Sequence, residues 1–77
     1  MNEMQLKEYN YERVVYLYTP SGKGTPGEIV YIFRDKEAKV LKSAENDSPT
    51  SANHAVLAVE KRVNANNLPI RFIDAWY

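Results

Sequence analysis

The chain contains no cysteine, and its ten basic residues balance ten acidic ones. Without cysteine there is no disulfide framework, so the core of this short chain must stabilise it alone or with help from oligomerisation. Zero formal net charge argues against a dedicated duplex-DNA binder and against a polybasic membrane patch. No apolar run approaches the ~20 residues that a membrane-spanning helix needs, and residues 1–10 lack a signal-peptide pattern. We therefore expect a cytoplasmic protein, with one small domain over residues 1–77.

The sequence also lacks the residue groups on which catalysis and metal binding depend. His54 is the only histidine, and no cysteine accompanies it as a second metal ligand. The serines show no nucleophile-elbow pattern, and the aspartates fall on separate predicted elements. We therefore predict no catalytic residue, no metal ligand and no cofactor, and we expect that the protein is not an enzyme.

Two segments have the composition of strands, because residues 11–18 and 28–34 are rich in β-branched and aromatic side chains. Residues 19–27 between them hold three glycines and two prolines, which predicts a long hairpin loop. This loop does not fit a phosphate-binding loop, which needs a different glycine spacing and a helix directly after it. A third strand is predicted over residues 38–43 and a fourth over residues 70–76.

One helix is predicted over residues 49–66. Ser48 is a suitable N-cap, and Pro49 suits the first helical position because the N–H that it lacks has no partner there. The sequence Asn66-Asn67-Leu68-Pro69 ends the helix, since proline cannot continue it. Leu57 is expected on the outer face. The apolar stripe of the helix has three- and four-residue spacing and consists of Ala52, Ala55, Val56, Val59 and Val63.

These elements predict an α+β fold, in the order β-β-β-α-β, with a four-stranded, mostly antiparallel sheet and one helix on one face. The helix returns the chain, so the last strand should run parallel to the third. Two places are open to the last strand, beside the first strand or beside the third, and we prefer the former, which gives the order 4-1-2-3. In residues 1–10, Met4 and Leu6 are expected to anchor either a short turn or an added edge strand.

The first two predicted strands are apolar on both faces. Val15 and Leu17 alternate with Tyr16 and Tyr18, so one face of that strand is aliphatic and the other is aromatic. The second strand repeats the pattern, with Val30 and Ile32 alternating with Ile29, Tyr31 and Phe33. A single helix covers one face. The other face needs a second cover, from residues 1–10, from a second copy of the chain or from a partner.

The aromatic face has three interpretations: it belongs to the core, it binds a protein or a second copy, or it stacks on single-stranded bases. The last requires a basic surround, yet Asp35 and Glu37 interrupt the cations between Arg34 and Lys42. We therefore expect a non-enzymatic protein-interaction or regulatory module, acting through this face or an edge strand, with homodimerisation expected and nucleic acid as the alternative. The last strand is expected to contribute Trp76 or Tyr77. The predicted partner-binding residues are Tyr16, Tyr18, Tyr31, Phe33 and Trp76.

Overall fold

A computed structural model describes residues 1–76, so Tyr77 lies outside the described residues. One antiparallel sheet of five strands carries a single helix, which confirms the predicted α+β class. The four predicted strands correspond to β2–β5, and the first residues of the chain supply a further strand, β1. The elements are β1 Asn2–Tyr9, β2 Arg13–Pro20, β3 Gly27–Ile32, β4 Glu37–Lys42, α1 Pro49–Asn64 and β5 Arg71–Asp74.

The strand order is β4-β3-β2-β1-β5, with every neighbouring pair antiparallel. The predicted order placed β5 directly beside β2, and the structure corrects it by inserting β1 between them. Asn2 and Met4 on β1 are buried, whereas Glu3 and Gln5 between them are exposed, which is the two-residue alternation of a strand. Four antiparallel steps separate β4 from β5, so these two strands run parallel to each other, as predicted.

The helix begins where the sequence predicts. The Ser48 hydroxyl oxygen accepts the Ser51 N–H at 3.0 Å, and Pro49 is the first helical residue. The helix ends at Asn64, two residues before the predicted end, and Asn66 follows it in the left-handed conformation with a φ of 53°.

The helix packs on the aromatic face of the sheet. Ala55 and Val59 are fully buried there, and Val56 and Val63 are partly buried. Small side chains on the helix leave room for tyrosine rings on the sheet, so the two surfaces fill one core. Its buried members are Met4, Val14, Tyr16, Tyr18, Ile29, Tyr31, Ala44, Ala55 and Val59.

An ion pair spans the aliphatic face of the sheet. Val15 and Val30 are only 2% exposed, although the helix lies on the opposite face. The Lys7 ammonium on β1 pairs with the Glu28 carboxylate on β3 at 3.1 Å, and this ion pair therefore passes over β2. Long charged side chains bury their aliphatic stems in this way while their heads reach water. Residues of the chain's own first strand thus help to supply the second cover.

Candidate interaction edge

Three of the five predicted partner-binding residues lie in the core. Tyr16 and Tyr18 are completely buried and Tyr31 is nearly so, because the helix covers the face that they share. The Tyr16 hydroxyl donates to the Pro69 carbonyl oxygen at 2.6 Å, beyond the end of the helix. The Tyr18 hydroxyl donates to the Asp47 carboxylate at 3.0 Å, just before the helix begins. These rings therefore hold the helix on the sheet and offer no surface to a partner.

Burial raises the pKa of the Tyr16 hydroxyl, and it is also the main cause that raises the pKa of Tyr18. In the unfolded chain both hydroxyls ionise near pH ~10, so the unfolded state loses its protons first as the pH rises. The contribution of these tyrosines to stability is therefore complete below that pH and is lost as the pH rises through the higher pKa of the folded state. Urea denaturation should show a steep fall in stability above about pH 10.

Removing the Tyr18 hydroxyl tests its contribution to stability at neutral pH. Tyr18→Phe should lower the free energy of unfolding by about 1 to 3 kcal/mol, because Asp47 and the Ala44 N–H lose a hydrogen-bond partner. In the same variant, the free energy of unfolding should fall less steeply at alkaline pH than it does in wild type. Tyr11→Phe is the matched control, since Tyr11 is 88% exposed. If Tyr18→Phe and Tyr11→Phe lowered the free energy of unfolding equally, the structural role of Tyr18 would be contradicted.

Phe33 packs against the core tyrosines at its margin, whereas Trp76 lies apart from them. Phe33 is half-buried at one end of the sheet, with its ring centroid 5.6 Å from that of Tyr31 and 6.4 Å from that of Tyr9. Trp76 follows β5, and its ring stacks on His54 of the helix at a centroid distance of 4.1 Å. Four of the five predicted residues therefore belong to the core or its margin, and Trp76 lies separately against the helix. The sequence interpretation also missed Tyr9 and Tyr11, whose rings are exposed.

The two outer strands of the sheet differ in how they are protected from further pairing. On β4, the backbone N–H of Ala38 donates to the Glu60 carboxylate of the helix at 3.0 Å. The same strand carries Lys39 and Lys42, and its register against β3 shifts between Glu28 and Ile29. Lysines, a register irregularity and a capped donor are all devices that prevent strand addition at an edge. β4 is therefore a protected edge.

Within residues 1–76, β5 shows none of these three devices. Its register against β1 is regular, and it contains no lysine. The Leu6 N–H on β1 donates to the Ile70 carbonyl oxygen at 2.8 Å, just before β5. Because facing groups alternate in an antiparallel ladder, the backbone groups of Phe72 also face β1, and those of Arg71 and Ile73 point outward. The Ile73 side chain beside this edge is 54% exposed.

A groove of about 360 Å³ lies between β5 and the helix. The Phe72 ring lies within it, and the Arg62 guanidinium stands over this ring at 4.4 Å from its centroid. Phe72 in turn packs edge-on against Tyr16, which joins the groove to the core. The lining residues are Ala58, Lys61, Arg62, Ala65, Phe72, Ile73, Asp74 and Ala75.

The groove and its edge are predominantly cationic. Lys61 and Arg62 project from the last turn of the helix and line the groove, whereas the Arg71 side chain lies on the opposite face of β5 from Phe72. Within residues 1–76, none of these three side chains forms an ion pair. Asp74 is the acidic side chain of the lining, and its carboxylate already accepts a hydrogen bond from the Asn2 side-chain amide at 3.2 Å.

No protein-family model, curated protein or solved structure matches the chain. In the part of the chain that the structure describes, no group of three or more histidine and carboxylate side chains converges as a metal site. Among the same residues, no helix is long and apolar enough to cross a membrane. The outward backbone groups of β5 lie directly beside the cationic groove.

Proposed function

We propose that this protein is a small, non-enzymatic interaction module that binds an extended segment of a protein partner beside β5. The segment becomes a sixth strand of the sheet. The observation that carries the proposal is the pair of outward-facing residues, Arg71 and Ile73, on an edge that within residues 1–76 lacks the lysines, the register shift and the capped donor of β4.

Strand addition supplies both affinity and selectivity. Arg71 and Ile73 each offer one N–H and one carbonyl, so a partner segment can form roughly four backbone hydrogen bonds with them. Successive side chains of that segment point to opposite faces of the sheet. One set enters the groove between β5 and the helix, and the other set lies beside the exposed side chain of Ile73.

The alternative of single-stranded nucleic-acid binding depends on aromatic rings that can stack on bases. On this sheet Tyr16, Tyr18 and Tyr31 are in the core, and the helix covers them. A nucleic acid also lacks the regular peptide groups that would pair with the β5 edge. The edge geometry therefore favours a polypeptide partner.

The test begins with decapeptides selected from a random library for binding to the wild-type protein. Their sites are mapped by amide chemical shifts in NMR spectra. We expect the selected peptides to shift the amides of Arg71 and Ile73 most strongly. Peptides that bind elsewhere, or a library that yields no binder, would overturn the proposal.

Two proline variants test whether the backbone of β5 makes the contact. Ile73→Pro removes one outward N–H without removing a bond to β1, and proline is tolerated at such edge positions. Binding should weaken about tenfold, the equivalent of one hydrogen bond with its unpaired partner. Val40→Pro changes the other edge and should retain wild-type affinity. If Ile73→Pro does not fold, the shift mapping on wild type decides.

A further inference from the structure

We infer that the segment added beside β5 carries acidic side chains at alternate positions, pointing toward Lys61 and Arg62. This inference rests on the proposed function and names the chemistry of the partner. An extended segment along β5 directs every second side chain to the helix side of the sheet. Those side chains reach the groove that the last turn of the helix borders.

Arg62 is held in position to receive a carboxylate. Its guanidinium stacks on the Phe72 ring at 4.4 Å, and this contact limits the freedom of the side chain. A guanidinium presents paired N–H donors that match the two oxygens of a carboxylate. Lys61, one position earlier on the helix, adds a second positive charge to the same lining. Binding an acidic side chain therefore requires little reorganisation of the groove.

The charge distribution of the groove selects against other partners. Asp74 brings one negative charge against the two positive charges of Lys61 and Arg62, so it offsets them only in part. A basic segment would be repelled from these cations. A second copy of the chain, paired through its own β5, would bring an identical cationic groove beside the first. This complementarity favours an acidic partner over self-association.

Three synthetic decapeptides test the inference. They share alternating valines, and the positions between the valines are all glutamate, all glutamine or all lysine. Trp76 is the only tryptophan of the chain and follows β5, so its fluorescence serves to follow the titration. We expect the glutamate peptide to bind at least about tenfold more tightly than the glutamine peptide at low salt. The lysine peptide should bind most weakly.

Salt dependence and charge-neutralising variants identify the side chains that cause the preference for the glutamate peptide. Raising the salt concentration from about 0.05 M to about 0.5 M should bring the glutamate and glutamine affinities together, because salt screens exposed charges. Arg62→Gln and Lys61→Gln should each reduce the preference for glutamate. Lys39→Gln, an exposed cation on β4, is the matched control and should leave the preference intact.

The outcomes separate the inference from the proposed function. Equal binding of the glutamate and glutamine peptides, both shifting the amides of β5, would overturn the acidic preference and leave strand addition standing. No shift at β5 with any of the three peptides would count against both. Tighter binding of an oligothymidylate than of the glutamate peptide would overturn the inference in favour of nucleic acid. A mass that doubles with protein concentration in light scattering, and falls in Ile73→Pro, would assign the edge to a second copy.

Discussion

Val59→Asp is expected to leave the protein largely unfolded at room temperature. Val59 is completely buried in the core cluster beneath the helix. An unpaired carboxylate there costs several kcal/mol, whether it remains charged or takes up a proton. A domain of this size has a free energy of unfolding of only about 4 to 12 kcal/mol. Circular dichroism should show the loss of helix, and thermal melting should show no cooperative transition.

Leu57→Asp is the matched control for this change. Leu57 lies on the same helix two positions earlier, and its side chain is mostly exposed. The new carboxylate stays in water, so the free energy of unfolding should change by no more than about 0.5 kcal/mol. If Val59→Asp melted like wild type, the packing of this helix face on the sheet would be wrong.

Gly27→Ala is expected to lower the free energy of unfolding by about 3 kcal/mol, as for an overpacked core. A β-carbon at this position would lie 2.5 Å from the Tyr18 ring, 2.5 Å from the Ala44 nitrogen and 2.6 Å from the Lys42 carbonyl oxygen. Two of these atoms belong to the backbone, which cannot shift without disturbing the end of β4. The midpoint of urea denaturation measures the loss.

Gly24→Ala, in the loop just before β3, provides the comparison. Gly24 has a φ of 85°, and its added β-carbon would meet only the side-chain ends of Asn46 and Glu45, which can move. The expected cost is that of the left-handed conformation, about 1 to 2 kcal/mol. A Gly27→Ala protein more stable than Gly24→Ala would mean that the Tyr18 ring does not lie over Gly27.

The helix and the strands β2 to β5 could be predicted because their local signals are strong. Ser48 and Pro49 mark the helix start, and the regular spacing of Ala55 and Val59 marks its buried face. The β-branched and aromatic runs of β2 and β3 likewise indicate strands whatever their neighbours are. These patterns depend only on residues close together in the chain.

The sequence indicates either a short turn or an added edge strand in residues 1–10, and the structure shows an interior strand, β1. The sequence does not decide between the two because one of the buried positions of β1 is polar. Asn2 is completely buried beside Met4, and its side-chain amide donates to the Ser51 carbonyl oxygen at 2.9 Å. An asparagine at this position hides the alternation on which strand prediction relies. Its partners, Ser51 on the helix and Asp74 on β5, are both distant in the chain, so the sequence nearby contains no signal of the burial.

The candidate site was only partly predictable, for a related reason. An edge strand was expected to bind, but alternation alone does not say which face the helix covers. That choice depends on how the volumes of the helix and sheet side chains match, as between Ala55 or Val59 and the tyrosine rings. The groove depends equally on tertiary placement, because Arg62 and Phe72 belong to different elements.

The pairing of β5 with β1 has a consequence for how the molecule opens. Residues 71–74 join the sheet only through residues 2–5, and this contact closes a loop of roughly 70 residues, whereas the other strand pairs are joined by short connections. β5 is therefore the strand that can detach in a local fluctuation while the four-stranded meander stays intact. A partner that binds only the attached strand would suppress that fluctuation by mass action. Binding of a partner at this edge would therefore also determine how long β5 stays paired with β1.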